Sequence, residues 1–178
     1  WQVYHIASGN DDYTLLNTSD DEADNVNRWN DTDPDSTNFT LGSYGGTNGS
    51  GEGTTIAYAF APVQGYSKFG YYMGNGNADG PFVYLGFRPA WLCIKNFAGD
   101  GDHDWKIHNN KSNPFNSVNK QLQTSNADAE YSSTTAGYYL DFLSNGFKIR
   151  GVTHAAHNST STEYMYMAFA EAPFVNSS

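Results

Sequence analysis

The sequence predicts an all-β fold of tandem antiparallel β-sandwich units, the first of them incomplete on its N-terminal side. Three observations predict it. Aromatic residues make up 16% of the chain and tyrosine alone supplies 13 of its 178 residues, whereas the strong helix formers Leu and Glu are scarce beside Gly, Asn, Ser and Thr. The 18 glycines, with dense Asn, Asp and Ser, provide the positive-φ and Asx-turn positions that close short hairpins. Finally, two parts of the chain match each other in order.

The matches begin with Trp1-Gln-Val-Tyr-His5, which resembles Trp105-Lys-Ile-His108. Leu16-Asn-Thr-Ser-Asp-Asp-Glu-Ala-Asp24 resembles Leu122-Gln-Thr-Ser-Asn-Ala-Asp-Ala-Glu130, and Phe39-Thr-Leu41 resembles Phe147-Lys-Ile149. Asn48-Gly-Ser50 then matches Asn158-Ser-Thr160, and Ile56-Ala-Tyr-Ala-Phe-Ala61 matches Met165-Tyr-Met-Ala-Phe-Ala170. The offset drifts from about 104 to about 109 residues, the behaviour of a duplication with small loop insertions. The stretch from Gly65 to Gly101 has no counterpart ahead of Trp1. The expected organisation is a partial repeat over 1–63 and a complete one over 64–178, with the missing strands supplied upstream or by a neighbouring subunit, because an incomplete sandwich leaves bare edges.

In chain order, Ile56, Tyr58 and Phe60 alternate with Ala57, Ala59 and Ala61, which predicts a central strand buried on both faces or nearly so. Phe82–Phe87 and Trp91–Ile94 are two strands separated by Arg88-Pro-Ala, where proline turns the chain through a hairpin or a corner. Cys93, the one cysteine, falls in the second of these and reads as a small buried hydrophobe. Tyr138–Leu143, Ser-Asn-Gly and Phe147–Arg150 form the clearest hairpin, with Asn145-Gly146 suited to the turn. Tyr164, Tyr166 and Ala168 alternate with Met165, Met167 and Phe169 in a second central strand.

A net charge of −10 repels nucleic-acid phosphates and anionic lipid, which argues against nucleic-acid partners. No apolar run approaches the roughly 18 residues of a membrane span, and no cationic start followed by an apolar stretch marks a signal peptide. Residue 1 is Trp, so an upstream segment is expected.

Catalytic residues are not expected. Glycoside hydrolysis needs two carboxylates facing each other across a cleft. Glu22, Glu52, Glu130, Glu163 and Glu171 read instead as solvated residues at turns or strand ends, and no G-x-S-x-G elbow is present. Asp31, Asp33, Asp35 and Asp100, Asp102, Asp104 have the alternation that begins a calcium loop. Ser36 and Trp105 at the sixth position and Gly42 and Lys111 at the twelfth reject an EF-hand. Acidic turns are one reading of these runs. A structural Ca²⁺ at Asp100, Asp102 and Asp104 is the other, because clustered carboxylates repel unless neutralised. His154 and His157 read as a surface pair on a loop, and Gly74–Gly80 as a turn, with no Lys-Ser/Thr ending to make it a phosphate loop. Asn17, Asn30, Asn38, Asn48, Asn110, Asn158 and Asn176 each open an N-x-Ser/Thr acceptor. Tyr, Trp, Asn and Asp at the surface would suit the stacking and hydrogen bonding of sugar, though the sequence locates no ligand site.

Tyr66-Ser-Lys-Phe-Gly70, Gly74-Asn-Gly-Asn-Ala-Asp-Gly-Pro-Phe-Val-Tyr84 and Gly86-Phe-Arg-Pro89 resemble a repeat of marine bacteriophage tail-fibre and virion proteins. Asn113-Pro-Phe-Asn116, Asp141–Lys148 and Tyr166–Phe174 resemble its C-terminal copy. The resemblance covers nearly the whole chain. It implies jelly-roll or concanavalin-like sandwiches in tandem, a virion-surface or extracellular location, and a structural, host-contacting role. The implied partners are copies of the chain, other virion proteins and host-surface glycan. It carries no established catalytic or ligand residues. The alternatives are a capsid decoration or filament subunit completed by a neighbouring chain, and a polysaccharide-degrading enzyme.

Overall fold

The computed structural model describes residues 1–49, 51, 53–98, 101, 103–132, 138–152 and 154–172. Its elements in chain order are β1 (Gln2–Val3), β2 (Asp12–Leu15), β3 (Ala23–Asp24), α1 (Val26–Trp29), α2 (Gly45–Asn48), β4 (Ser67–Met73) and β5 (Phe82–Tyr84). They continue with β6 (Pro89–Ala98), β7 (Lys106–Asn109), β8 (Lys120–Gln123), β9 (Tyr131–Ser132), β10 (Leu140–Leu143), β11 (Gly146–Ile149) and β12 (Glu163–Ala170). The chain is an antiparallel all-β protein, with two single-turn helices as its only α-helices among the described residues.

A six-stranded sheet, β4-β12-β6-β7-β8-β9, forms the centre. Because successive side chains leave a strand on opposite faces, β12 sends Tyr164, Tyr166 and Ala168 into one core while Met165 and Met167 enter another. β6 divides likewise, with Leu92 and Ile94 on one side and Cys93 and Phe97 on the other. The first core is closed by the three-stranded sheet β10-β11-β5, through Val83, Leu140, Phe142, Phe147 and Ile149. The second is covered by the N-terminal sheet β1-β2-β3 through Val3, Ala7 and Leu16. Polar ties reinforce that cover. The Trp105 indole Nε1 donates to the Leu15 carbonyl at 3.2 Å, and the Lys95 ammonium donates to the Asp20 carbonyl at 2.8 Å.

Two meanders in the chain have the same antiparallel order, with pairing that stands two residues off the sequence match, which would set Val3 opposite Leu16. Gln2 faces Leu15 and Val3 faces Thr14 in β1 and β2, as Lys106 faces Gln123 and Ile107 faces Leu122 in β7 and β8. Asp12 then faces Asp24 and Tyr13 faces Ala23, as Lys120 faces Ser132 and Gln121 faces Tyr131.

Several local expectations are corrected. The alternating segment Ile56–Ala61 lies in no strand and is exposed throughout: Ile56, Tyr58 and Phe60 retain 71, 67 and 64% of their surface. Its pattern is that of a strand, but no strand among the described residues pairs with it. Pro89 does not end a ladder. It opens β6 opposite Ala170, a position where its missing N–H costs nothing, and the chain passes at a corner from β5 in one sheet to β6 in the other. In the hairpin β10–β11, Leu143 pairs with Gly146, so Ser144 and Asn145 form the turn, and neither Asn145 nor Gly146 has positive φ. Glycine is required at 146 for space, since a Cβ there would lie 2.1 Å from the Val83 carbonyl oxygen. Phe39–Leu41 is likewise outside any strand.

Candidate functional site

The 120–138 region builds a groove on the outer end of the central sheet. β8 and β9 pair at Gln121 and Tyr131, and the loop between them is drawn together by an ion pair of Lys120 with Glu130 at 3.2 Å. The loop's polar groups are held in place locally. Asn126 Nδ2 donates to Gln123 Oε1 at 2.8 Å, and the Asp128 backbone N–H donates to Asn126 Oδ1 at 3.1 Å, an Asx turn. The resulting groove encloses about 420 Å³ and is lined by Gln121, Gln123, Asn126, Asp128, Tyr131 and Tyr138. Tyr131 and Tyr138 meet edge to face with ring centroids 5.5 Å apart. Gln121 is buried, and its Oε1 accepts no hydrogen bond among the described residues.

Beneath Tyr138 lies an imidazole pair that sequence reasoning missed. The Tyr138 ring is 4.1 Å from that of His154 and 5.8 Å from that of His157. His157 is not the surface residue expected: it is 1% exposed, and its Nε2 lies 2.9 Å from His108 Nε2. His108 Nδ1 lies 3.0 Å from the Lys120 carbonyl oxygen, which can only accept, so Nδ1 carries the His108 proton. His108 Nε2 is then the acceptor and His157 Nε2–H the donor, which leaves His157 Nδ1 as a buried lone pair without a hydrogen-bond partner. Burial keeps both rings neutral. It lowers His108 to about 4, with a small further push from Lys106, and it lowers His157 well below the ordinary imidazole value, with His108 and Lys106 adding to the effect. A signal for the burial of His108, though not for its pairing with His157, was available in the repeat, where each copy carries a histidine three or four residues after its Trp. His5 is buried too, with Nε2 3.0 Å from the Tyr166 carbonyl oxygen and its pKa lowered to about 4 by burial.

Of the aspartates proposed for calcium, Asp100 and Asp102 lie outside the described residues. Asp104 forms an ion pair with the buried Lys106 at 3.3 Å. Among the described residues no group of three His, Cys, Asp or Glu side chains could hold a metal ion. The other acidic run folds as turns: Asp35 Oδ1 accepts the backbone N–H groups of Thr37 and Asn38, each at 2.7 Å, and these bonds hold its pKa down at about 2. Glu22 departs from the solvated reading, being half-buried and raised to about 7 by burial and then by Asp12, Glu163 and Asp21. Burial pushes the Cys93 thiol far up, so it packs as a hydrophobe. Gly74–Gly80 is a staircase of Asx turns, with the N–H groups of Asn77 and Asp79 bonded to the side chains of Asn75 and Asn77. Asn110 and Asn158 are buried, while Asn176 lies outside the described residues.

No curated protein and no solved structure matches the chain. The model of the family described as "Domain of unknown function (DUF7483)" matches residues 1–173, and the chain belongs to that family.

Proposed function

We propose that this protein is a non-catalytic module of a bacteriophage tail fibre, exposed on the virion, that contacts the host by binding its surface glycan in the groove between β8, β9 and Tyr138. The observation that carries the reading is a groove flanked by two tyrosines and lined by amide and carboxylate groups, with Gln121 Oε1 buried at its floor as an acceptor that has no donor among the described residues. A buried unsatisfied acceptor costs about 1–3 kcal/mol, and a ligand hydroxyl would relieve that cost. Asp128 and the amides of Gln123 and Asn126 offer further positions for hydroxyls. Tyr131, 46% exposed, offers a ring face to the C–H surface of a sugar. The net charge of −10 favours neutral over anionic sugars. A single carboxylate, Asp128, stands among the described lining residues, which supports binding over two-carboxylate hydrolysis.

The test is a glycan array joined to a cell-adsorption assay. The native chain should retain a set of neutral glycans, and Gln121→Leu and Tyr131→Ala should each weaken retention by about tenfold, the loss of one buried hydrogen bond or one stacking face. Absence of any retained glycan and of adsorption would leave the chain a scaffold that only extends the fibre.

A further inference from the structure

We infer that residues 54–61 form a sheet strand whose two neighbours are supplied by a second copy of the 64–104 segment. The inference is independent of what the groove binds. Its first support is the state of the segment itself. Ile56, Tyr58 and Phe60 alternate with three alanines, every residue from 53 to 64 is exposed, and no backbone group of residues 54–60 is hydrogen-bonded among the described residues. A row of free N–H and C=O groups beside an apolar alternation is a template for strand addition.

Its second support is where the equivalent residues sit in the rest of the molecule. Ile56–Ala61 matches Met165–Ala170, which is β12, and β12 lies between β4 and β6 with bonds to both. Both flanking strands belong to the 64–104 segment, whose sequence occurs once among the 178 residues. The remainder of the equivalence is already built in outline, because β1-β2-β3 is an antiparallel meander in the order of β7-β8-β9. In the complete unit β6 bonds to β12 on one side and β7 on the other. The matching pair here is residues 54–61 and β1, which approach each other at the Trp1 and Tyr58 rings, 6.0 Å apart, while the outer edge of β1 is unpaired among the described residues. A strand of the β6 type would bond to both, and one of the β4 type would cover the far edge of 54–61. By the same match Ile56, Tyr58 and Phe60 take the face of Met165, Met167 and Phe169, and the alanines take the closely packed face of Tyr166 and Ala168.

The test joins a duplicate of residues 64–104 ahead of Trp1, so that the added residue 104 precedes Trp1 as the original precedes Trp105, and compares this extended chain with the 178-residue chain. Amide hydrogen exchange of residues 54–61 should slow by about a hundredfold or more in the extended chain, as strand pairing on both edges requires. Ala59→Pro provides the second measurement. It should leave the melting temperature of the 178-residue chain unchanged, since residue 59 is exposed and unbonded there, and lower that of the extended chain, where a proline would break a central ladder. Unchanged exchange at 54–61, an Ala59→Pro effect that is the same in both chains, or an extended chain that only aggregates would each overturn the proposal.

Discussion

At the scale of single residues, the tightest constraints are steric and electrostatic. Gly146 is the clearer steric case, because β5 runs so close that a methyl group would meet the Val83 carbonyl oxygen at 2.1 Å, and backbone cannot yield as a side-chain tip can. Gly146→Ala should therefore cost about 2–3 kcal/mol by overpacking, seen as a lower urea midpoint with an unchanged slope. Glu22 is the electrostatic case. Burial and the acidic neighbours Asp12, Glu163 and Asp21 raise it to about 7, while Lys95 offsets them in part. A carboxyl whose folded pKa lies above its ordinary 4.5 binds its proton more tightly when folded. Its ionisation thus erodes stability as pH climbs from about 4.5 to 7, and the cost stays constant above that. Glu22→Gln should stabilise the protein by about 1 kcal/mol at pH 8, a figure discounted for a side chain that is still half solvated, and leave stability unchanged at pH 4. Equal gains at both pH values would show that the neighbouring carboxylates are not the cause.

At the scale of elements, alternation identified the strands but could not identify their partners. β10, β11 and β12 follow the predicted pattern because each finds a neighbour on the side its backbone presents. Ile56–Ala61 carries as regular an alternation and forms no strand, since hydrophobic period reports which faces want burial and not whether a ladder exists to bury them. The turn residues were legible by type but not by mechanism, as Gly146 shows. What binds the N-terminal sheet to the central one was not legible, because the polar links run from side chains to backbone carbonyls 75 to 90 residues away in the chain. Lys95 stands on β6 with its ammonium donating to the carbonyls of Asp20 and His103, so a buried cation joins the two sheets through backbone oxygens. Lys95→Met keeps the packed stem but leaves those carbonyls without their donor. It should destabilise by about 2–4 kcal/mol, with exchange rising first at residues 12–24; rates that rise uniformly over the chain would show that the two layers unfold as one.

At the scale of the whole molecule, the distribution of buried histidines sets the response to acid. His5 reaches the Tyr166 carbonyl of β12 from the β1–β2 loop, and His108 and His157 meet between β7 and the 154–158 turn, so protonation strikes two places at once. The pair was illegible in the sequence because its members are far apart along the chain and meet only across β7 and the 154–158 turn. Each ring must be neutral to fit. A second proton on the pair would set two N–H groups nose to nose at 2.9 Å, and His5 would charge in a buried site. Since His5 and His108 have folded pKa values of about 4 against an ordinary 6.5, the unfolded chain takes up protons first. The stability they confer is complete above about pH 6.5 and is lost as pH falls towards 4, on the order of 3 kcal/mol for each. Glu22 works in the opposite sense over the overlapping range, but it is one half-solvated group against three deeply buried ones, so the histidines decide the outcome. The melting temperature should fall steadily from pH 7 to 4.5, and more steeply in Glu22→Gln, which lacks the opposing carboxyl. A melting temperature that holds or rises over that interval would mean that the imidazoles can be charged where they stand.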